Sequence, residues 1–313
     1  MAALRWGILG GRSRIARNAV APAIEASERG ELVASASRAA DGGDAPYAEL
    51  LDHPDIDIVY IPLPNGLHRR WVTAALAAGK HVLCEKPLGM DVAEAEAMFV
   101  AADGAGRILI EAYMAPFHPR TQAMERLIAD GVLGELRSMR ATFTFPLLTV
   151  RPDDHRLDPT LGGGASLDVG IYCTAPMLWA AGRQPLDVAA TALWHTPVVD
   201  RSLSAFLDFD GGLAGSFVVS FELPVRQRLE LAGTKAAITS EGAFNPGTDA
   251  TVLELARVGG DSETMAFEGA SAYLGMVEHV TAVVLDGVTP RHGRSETLAV
   301  AHTLDRVRTA AAR

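Results

Sequence analysis

Cysteine is nearly absent from this chain of 313 residues: there are two, Cys84 and Cys173. They stand alone among apolar and small residues with no CxxC spacing, which argues against a disulfide framework or a zinc site and fits a reducing compartment, the cytoplasm. Basic charge is scarce as well. Lys and Arg number 28 against 38 Asp and Glu, a formal charge of −10, and that balance lacks the basic surface on which non-specific nucleic-acid binding depends. Anionic ligands must then be met by local features. No apolar run reaches the roughly 18 residues a membrane span needs, and Met1 to Trp6 runs straight into a strand without a charged and then apolar leader. Internal repeats, low-complexity tracts and flexible linkers are missing, and no residue cluster points to a metal. What remains is ordinary for a soluble globular protein, 49% hydrophobic and 21% charged, long enough for about two domains.

The stretch His81-Val82-Leu83-Cys84-Glu85-Lys86-Pro87-Leu88 organises the rest. It reads as a buried strand, His81 to Cys84, ending in a charged pair, with Pro87 barring continuation as a regular strand or helix. Lys86 is thereby placed at the carboxyl edge of a sheet, where open α/β sheets bind their ligands. Alone, the pair also fits a solvated Glu-Lys turn, so its neighbours decide. Leu4 to Gly10 is a short apolar run, followed by Gly11-Arg12-Ser13-Arg14-Ile15-Ala16 and a helical pattern through Val20, Ile24 and Ala26. Gly11, Ser13 and Ala16 align with the small positions of GxGxxG/A, with Ser for the middle glycine and Gly10-Gly11 leaving the register open by one residue. A pyrophosphate approaches the backbone closely at such a helix N-terminus, which makes Gly10, Gly11, Arg12, Ser13, Arg14 and Ile15 candidate dinucleotide contacts.

A cofactor with a free ribose hydroxyl wants an acid at the end of the next strand. The strand Glu31 to Ser37 ends in Ser37-Arg38 instead, and a guanidinium beside a hydroxyl suits a 2′-phosphate. NADP(H) is the expected cofactor; Asp41 and Asp44 in the loop Ala39 to Pro46 keep NAD(H) open. After a short helix, Tyr47 to Leu51, the apolar run Asp57 to Leu63 predicts a strand covered on both faces and ended by Pro62 and Pro64. Asn65 and His68 follow, then a helix from Leu67 to Ala78 stopped by Gly79. This rhythm sets Pro62, Asn65, His68, Glu85 and Lys86 at the edge that carries the glycine turn, as further cofactor candidates. A helix from Asp91 to Ala102 and a strand from Ile108 to Tyr113 complete the first half.

Phe117-His118-Pro119 opens a helix to Asp130, after which the period changes. Leu136 to Phe145, Leu203 to Phe221 with its turn Asp210-Gly211-Gly212, Leu229 to Thr239 and Thr251 to Val258 alternate as antiparallel strands do. Among them Leu161-Gly162-Gly163-Gly164-Ala165-Ser166-Leu167-Asp168-Val169-Gly170-Ile171-Tyr172-Cys173 leads into a helix reaching Ala181. Asp168 and Tyr172, four apart, share one face of it, although a capping Asp with a half-buried Tyr would look the same. The predicted fold is α/β: an N-terminal Rossmann doubly wound parallel sheet over residues 1–117 plus a C-terminal α+β domain over 118–313 with a mostly antiparallel open sheet. The last helix, Ser295 to Arg313, is free to pack back on the first domain.

With the glycine turn, the Glu85-Lys86-Pro87 corner and Gly162-Gly163-Gly164-x-x-x-Asp168-x-Gly170-x-Tyr172 in this order, the chain resembles the Gfo/Idh/MocA family of nicotinamide-dependent oxidoreductases over nearly its whole length. Glu111-Ala112-Tyr113-Met114, Phe117-His118-Pro119 and a tyrosine at 172, where many members carry His, are most similar to the branch with dihydrodiol dehydrogenase, NADP-dependent D-xylose dehydrogenase and glucose-fructose oxidoreductase. The chain departs from that branch at Ser13, in the shortened region 39–46, and at Ala115-Pro116, where an aromatic and an arginine are usual.

The resemblance implies hydride transfer between a nicotinamide and a hydroxyl or carbonyl carbon of a sugar or related polyol, with Lys86, Asp168 and Tyr172 around that carbon. The residue types agree. A tyrosine with a pKa near ~10 is a poor base until a cation stabilises its phenolate, and Lys86 is that cation, or holds the substrate oxygen itself. Asp168 orients the lysine or binds a second hydroxyl; His118 and Arg156 are candidate substrate contacts. Two rival readings stay open: a ketoreductase of a modified or nucleotide-linked sugar, with Arg151 and Arg156 as its cations, and a non-catalytic NADP(H)-binding sensor. Phe206, Phe217, Val219 and Phe221 are expected on an uncovered face, predicting a homodimer or homotetramer through the C-terminal sheet.

Overall fold

A computed structural model describes residues 2–312, and the chain falls into two compact units. The first takes the described residues up to Phe117 together with Ser271–Leu298. Its sheet has five parallel strands, β1 (Leu4–Leu9), β2 (Gly30–Ala36), β3 (Ile58–Ile61), β4 (His81–Glu85) and β5 (Leu109–Ala112), in the order β2-β1-β3-β4-β5. All four residues of β3 are buried, as an apolar run between two strands and two helical layers must be. On one side Trp71, Val72 and Leu76 of the helix His68–Ala77 meet Met98 and Phe99 of the helix Val92–Ala105. Asp91 caps the latter by accepting from Glu94 N at 2.8 Å.

The helix Ala272–Asp286 packs on β1, β2 and the helix Ala21–Ala26. No element is expected from the sequence over residues 259–294, yet from Ser271 onward this segment counts with the first unit, although it follows most of the second in the chain. The sheet order reverses between β1 and β3, so the chain leaves both strands at a topological switch point, the usual ligand crevice of such sheets.

The second unit, His118–Ala270 with Ala299 onward, is built on eight strands. These are β6 (Leu136–Thr144), β7 (Asp187–Thr196), β8 (Val199–Phe209), β9 (Leu213–Ser220), β10 (Arg226–Gly233), β11 (Ala236–Glu241), β12 (Thr251–Arg257) and β13 (Ser262–Phe267). Their order is β13-β12-β11-β10-β6-β9-β8-β7, antiparallel throughout except between β6 and β9. The edge strands β7 and β13 escape sequence reasoning because neither has a buried face to impose alternation.

The helix Ala165–Ala181 lies on β6, β8 and β9, and the odd-numbered residues of β8 and β9 turn inward. Phe217, Val219 and Phe221 are therefore buried, against the expectation that they line an uncovered face. Phe206, on the opposite phase, is 49% exposed. It pairs with Ala189 and Ser216, in a face that also carries Leu193, Val218, several Ser and Thr and the ion pairs of Arg228 with Glu230 and Glu241.

Candidate active site

The glycine turn is tied to β2. Gly10 N and Gly11 N both donate to Ala36 O, at 2.9 and 2.8 Å, and Arg12 N donates to Ser37 Oγ at 3.0 Å. A Cβ on Gly11 would collide with Ser35 Oγ, which is why residue 11 has none. Ser13 Oγ accepts from Ala16 N at 3.3 Å, so the serine in place of a glycine acts as a cap on the helical turn that follows. The first N–H groups of a helix have no partner within it and favour an anion. Arg12, Arg14 and Arg38 are exposed beside them. Of the two acids near the end of β2, Asp44 is paired with Arg70 at 2.9 Å and Asp41 accepts from Gly43 N. This is a donor set that fits a dinucleotide bearing an extra phosphate.

Because the strands are parallel, Pro62 and Asn65 after β3 lie at the same edge as Glu85, the last residue of β4, and Lys86, the first after it. The Lys86–Pro87 peptide is cis, and buried side chains hold the corner on both sides of the half-buried lysine. Tyr60 Oη donates to Glu85 Oε1 at 2.6 Å; burial, and after it Glu85, pushes the tyrosine's pKa well up, so it stays a phenol. His68 Nδ1 lies 3.0 Å from Pro87 O and its Nε2 2.8 Å from Leu63 O. His68 is expected from sequence to contact cofactor; its ring is wholly buried and spent on backbone carbonyls, and it braces the loops after β3 and β4 instead. Leu88 N donates to Glu111 Oε1 at 2.8 Å, and Glu111 Oε2 meets His292 Nε2 at 2.9 Å and Thr297 Oγ1 at 3.0 Å. Tyr60, Glu111, His292 and Thr297 are not singled out as site residues by sequence; the available signal was a carboxylate inside the apolar strand β5.

The second unit gathers a different set. Arg156 Nε reaches Asp168 Oδ2 at 3.0 Å while its Nη1 meets both oxygens of Asp154, at 3.2 and 3.3 Å. Arg151 and His155 also face Asp154, at 3.5 and 3.3 Å. Asp168 and then Asp154 raise the Arg156 pKa against the opposing effect of burial. Tyr172, 8% exposed, has its ring 5.2 Å from Phe143 and 6.0 Å from Phe244, which stack on each other at 5.6 Å. Gly170 lies between Asp168 and Tyr172 because a Cβ there would come within 2.8 Å of Leu304.

His118 caps the helix Pro119–Ala129: its Nδ1 accepts from Arg120 N at 3.1 Å, which puts the ring proton on Nε2. That Nε2 is buried and finds no hydrogen-bond partner among the described residues. Burial first and the Arg120 charge second lower the imidazole's pKa, so it is a neutral donor.

Two family models match the chain: an oxidoreductase family with an NAD-binding Rossmann fold over residues 4–113, and the GFO/IDH/MocA C-terminal domain over 121–239. D-xylose 1-dehydrogenase (NADP(+)) 2 of Haloferax volcanii is 36% identical, with 97% of this chain and 96% of the relative aligned. Among solved structures, aldose-aldose oxidoreductase from Caulobacter crescentus, complexed with glycerol, superposes with a TM-score of 0.90 at 26% identity, covering 99% of this chain and 97% of that one. A 3-ketoreductase from Actinomadura kijaniata, in complex with TDP-benzene and NADP, gives 0.86 at 31% identity and 98% of both chains. The chain belongs to the Gfo/Idh/MocA family and is an NAD(P)-binding oxidoreductase.

Proposed function

We propose that the protein is an NADP(H)-preferring dehydrogenase of a neutral sugar or related polyol, of the aldose or dihydrodiol type, with NAD(H) as the weaker cofactor. One observation carries the choice of a neutral substrate. Arg151 and Arg156, the cations a nucleotide-linked sugar would need in the second unit, are already paired with Asp154 and Asp168, and freeing them would leave buried carboxylates uncompensated. The D-xylose dehydrogenase and aldose-aldose oxidoreductase relatives support the same class.

When bound, the nicotinamide supplies the hydride acceptor or donor. Gly10, Gly11, Arg12, Ser13, Arg14 and Ile15 would hold its pyrophosphate and Ser37 with Arg38 its 2′-phosphate, a preference supported by Asp44 being paired with Arg70. Pro62, Asn65 and Glu85 would border the cofactor from the same sheet edge. Lys86 binds the reacting oxygen of the substrate and stabilises its alkoxide character. Tyr172 takes the hydroxyl proton in oxidation and returns it in reduction; a phenol of pKa about 10 needs the lysine's charge to serve as that base. Asp168 accepts a hydrogen bond from a second hydroxyl, with Arg156 fixing its orientation, and His118 Nε2–H donates to a further oxygen. Phe143 and Phe244 keep water from the tyrosine ring.

The second unit's sheet is proposed to join copies of the chain as a homodimer or homotetramer, through the face that exposes Leu193 and Phe206. The two buried, unbridged cysteines support a cytoplasmic enzyme. The test is nicotinamide absorbance with NADP⁺ and NAD⁺ across D-xylose, D-glucose, other aldoses and a trans-dihydrodiol, for the wild type and Lys86→Met. Turnover that prefers NADP⁺ and drops about 10²–10⁴-fold in the variant is expected. Near-normal turnover in folded Lys86→Met would remove the mechanism; activity confined to TDP-linked sugars would establish the ketoreductase reading, and NADPH binding without any turnover the sensor.

A further inference from the structure

Glu111 is 4% exposed in a strand whose four residues are all buried. A carboxylate in such a place is costly unless its lone pairs are used, and an apolar side chain would pack there as well. Both oxygens have partners. Oε1 accepts from Leu88 N, and Oε2 accepts from Thr297 Oγ1 and faces His292 Nε2. Pro87 has no N–H, so Leu88 offers the first backbone donor after Lys86 by which the corner can be anchored. On its other side the same carboxylate is held by residues 181 and 186 positions along the chain, in the loop before the helix Arg294–Ala311 and in that helix's first turns.

We propose that Glu111 is a positioning residue for Lys86, and that His292 and Thr297 aim it. The inference rests on Lys86 being catalytic. It assigns to a C-terminal segment of the first unit a part in setting the lysine, although neither residue follows any motif of the active site. A lysine that must meet a substrate oxygen within hydrogen-bond distance depends on its backbone being held, since a misplacement of about 1 Å costs about 100-fold in rate.

The experiment compares Glu111→Leu, Glu111→Gln and Thr297→Val with the wild type and Lys86→Met, in kcat, KM, the pH profile of kcat and NADPH affinity by fluorescence. Glu111→Leu is expected to lower kcat about 100-fold with NADPH affinity unchanged, and to alter the pH profile of kcat. Glu111→Gln, which still accepts from Leu88 N, restores most of the rate. Thr297→Val, isosteric and short of one donor, lowers kcat several-fold, and it decides the matter if Glu111→Leu does not fold. Variants with a lowered melting temperature but wild-type kcat per NADPH-binding site and an unmoved pH profile overturn the proposal, leaving Glu111 a purely structural tie. Wild-type turnover in Lys86→Met overturns instead the reading on which it rests.

Discussion

Replacing Asp200 tests how the helix carrying Asp168 and Tyr172 is held. Asp200 lies on β8, is 2% exposed, and accepts from Ser166 N at 2.8 Å and from Ser166 Oγ at 2.7 Å. Ser166 is the second residue of the helix Ala165–Ala181, so its N–H has no partner within the helix. The N-cap residue is Gly164, without a side chain, and a carboxylate from a strand does its work. Asp200→Ala leaves a buried N–H and a buried hydroxyl unpaired. Hydrogen bonds to a charged group contribute about 1.5–3 kcal/mol, and relief of the carboxylate's own desolvation offsets part of the loss. We expect a net destabilisation of about 2–3 kcal/mol. Asp200→Asn keeps both bonds, with its oxygen on the N–H and its amide on the hydroxyl, and should stay within about 1 kcal/mol at neutral pH.

The pH dependence gives a second handle on the same residue. Burial raises the Asp200 pKa above its ordinary 3.8, against the Ser166 bonds and the charge of Arg308. The fold therefore holds this proton more tightly than the unfolded chain does. That contribution is full below the ordinary value and is lost as pH rises through the raised one. The stability of Asp200→Asn relative to wild type should accordingly grow from about pH 4 upward. Urea midpoints at constant m would measure both effects. A wild-type midpoint for Asp200→Ala, or an equal loss for Asp200→Asn, refutes the capping argument.

Two further outcomes follow from other parts of the chain. Arg38→Ala should lower kcat/KM for NADP⁺ about 10–100-fold, the loss of charge-assisted bonds to a phosphate, and leave NAD⁺ unaffected; equal losses with both cofactors would remove Arg38 from the 2′-phosphate site. Asp57, whose pKa is lowered by its hydrogen bonds to Arg5, gives stability that is full above its ordinary 3.8 and is lost as pH falls through the depressed value. The pair is partly exposed, so Asp57→Asn should cost at most about 1 kcal/mol at neutral pH and converge with wild type in acid; an undiminished difference in acid would contradict this.

The parts of the fold legible in the sequence are those where one short segment carries its own signal. The apolar run of β3 between prolines, the glycine turn and the alternation of β8 and β9 each encode an element locally, and so the parallel sheet and most of the second sheet could be read. The edges could not. β7, with Ala189, Ala190, Thr191 and Ala192 at its middle, and β13, with Ser262, Glu263 and Thr264 at its start, show no regular apolar alternation, and neither strand has a buried residue. Phe217, Val219 and Phe221 show a further limit: the sequence reading sets them on one uncovered face with Phe206, but which face the helix Ala165–Ala181 covers is decided by tertiary packing, which buries these three and leaves Phe206 exposed.

The candidate site divides in the same way. Gly10 to Ser13, Arg38, Lys86, Asp168 and Tyr172 could be named because chemistry demands particular side chains beside particular backbone breaks, and glycines and prolines mark those breaks. The residues that aim them have no such marks. Glu111 bridges Leu88 to Thr297, and Asp200 caps a helix that begins 35 residues before it. Glu111 is an acid in an apolar strand, where a pattern of apolar residues treats it as an exception; Asp200 falls on the polar, even-numbered phase of β8, where the pattern reads it as an exposed residue and its burial goes unseen. In a fold whose helices and strands are otherwise held by non-directional burial, a buried acid that is fully hydrogen-bonded specifies one arrangement among many that would bury the same area. Buried acids that the hydrophobic pattern misreads are thus where orientation is specified, and in this chain one holds the Lys86–Pro87–Leu88 corner through Leu88 N and the other the start of the helix that carries Tyr172.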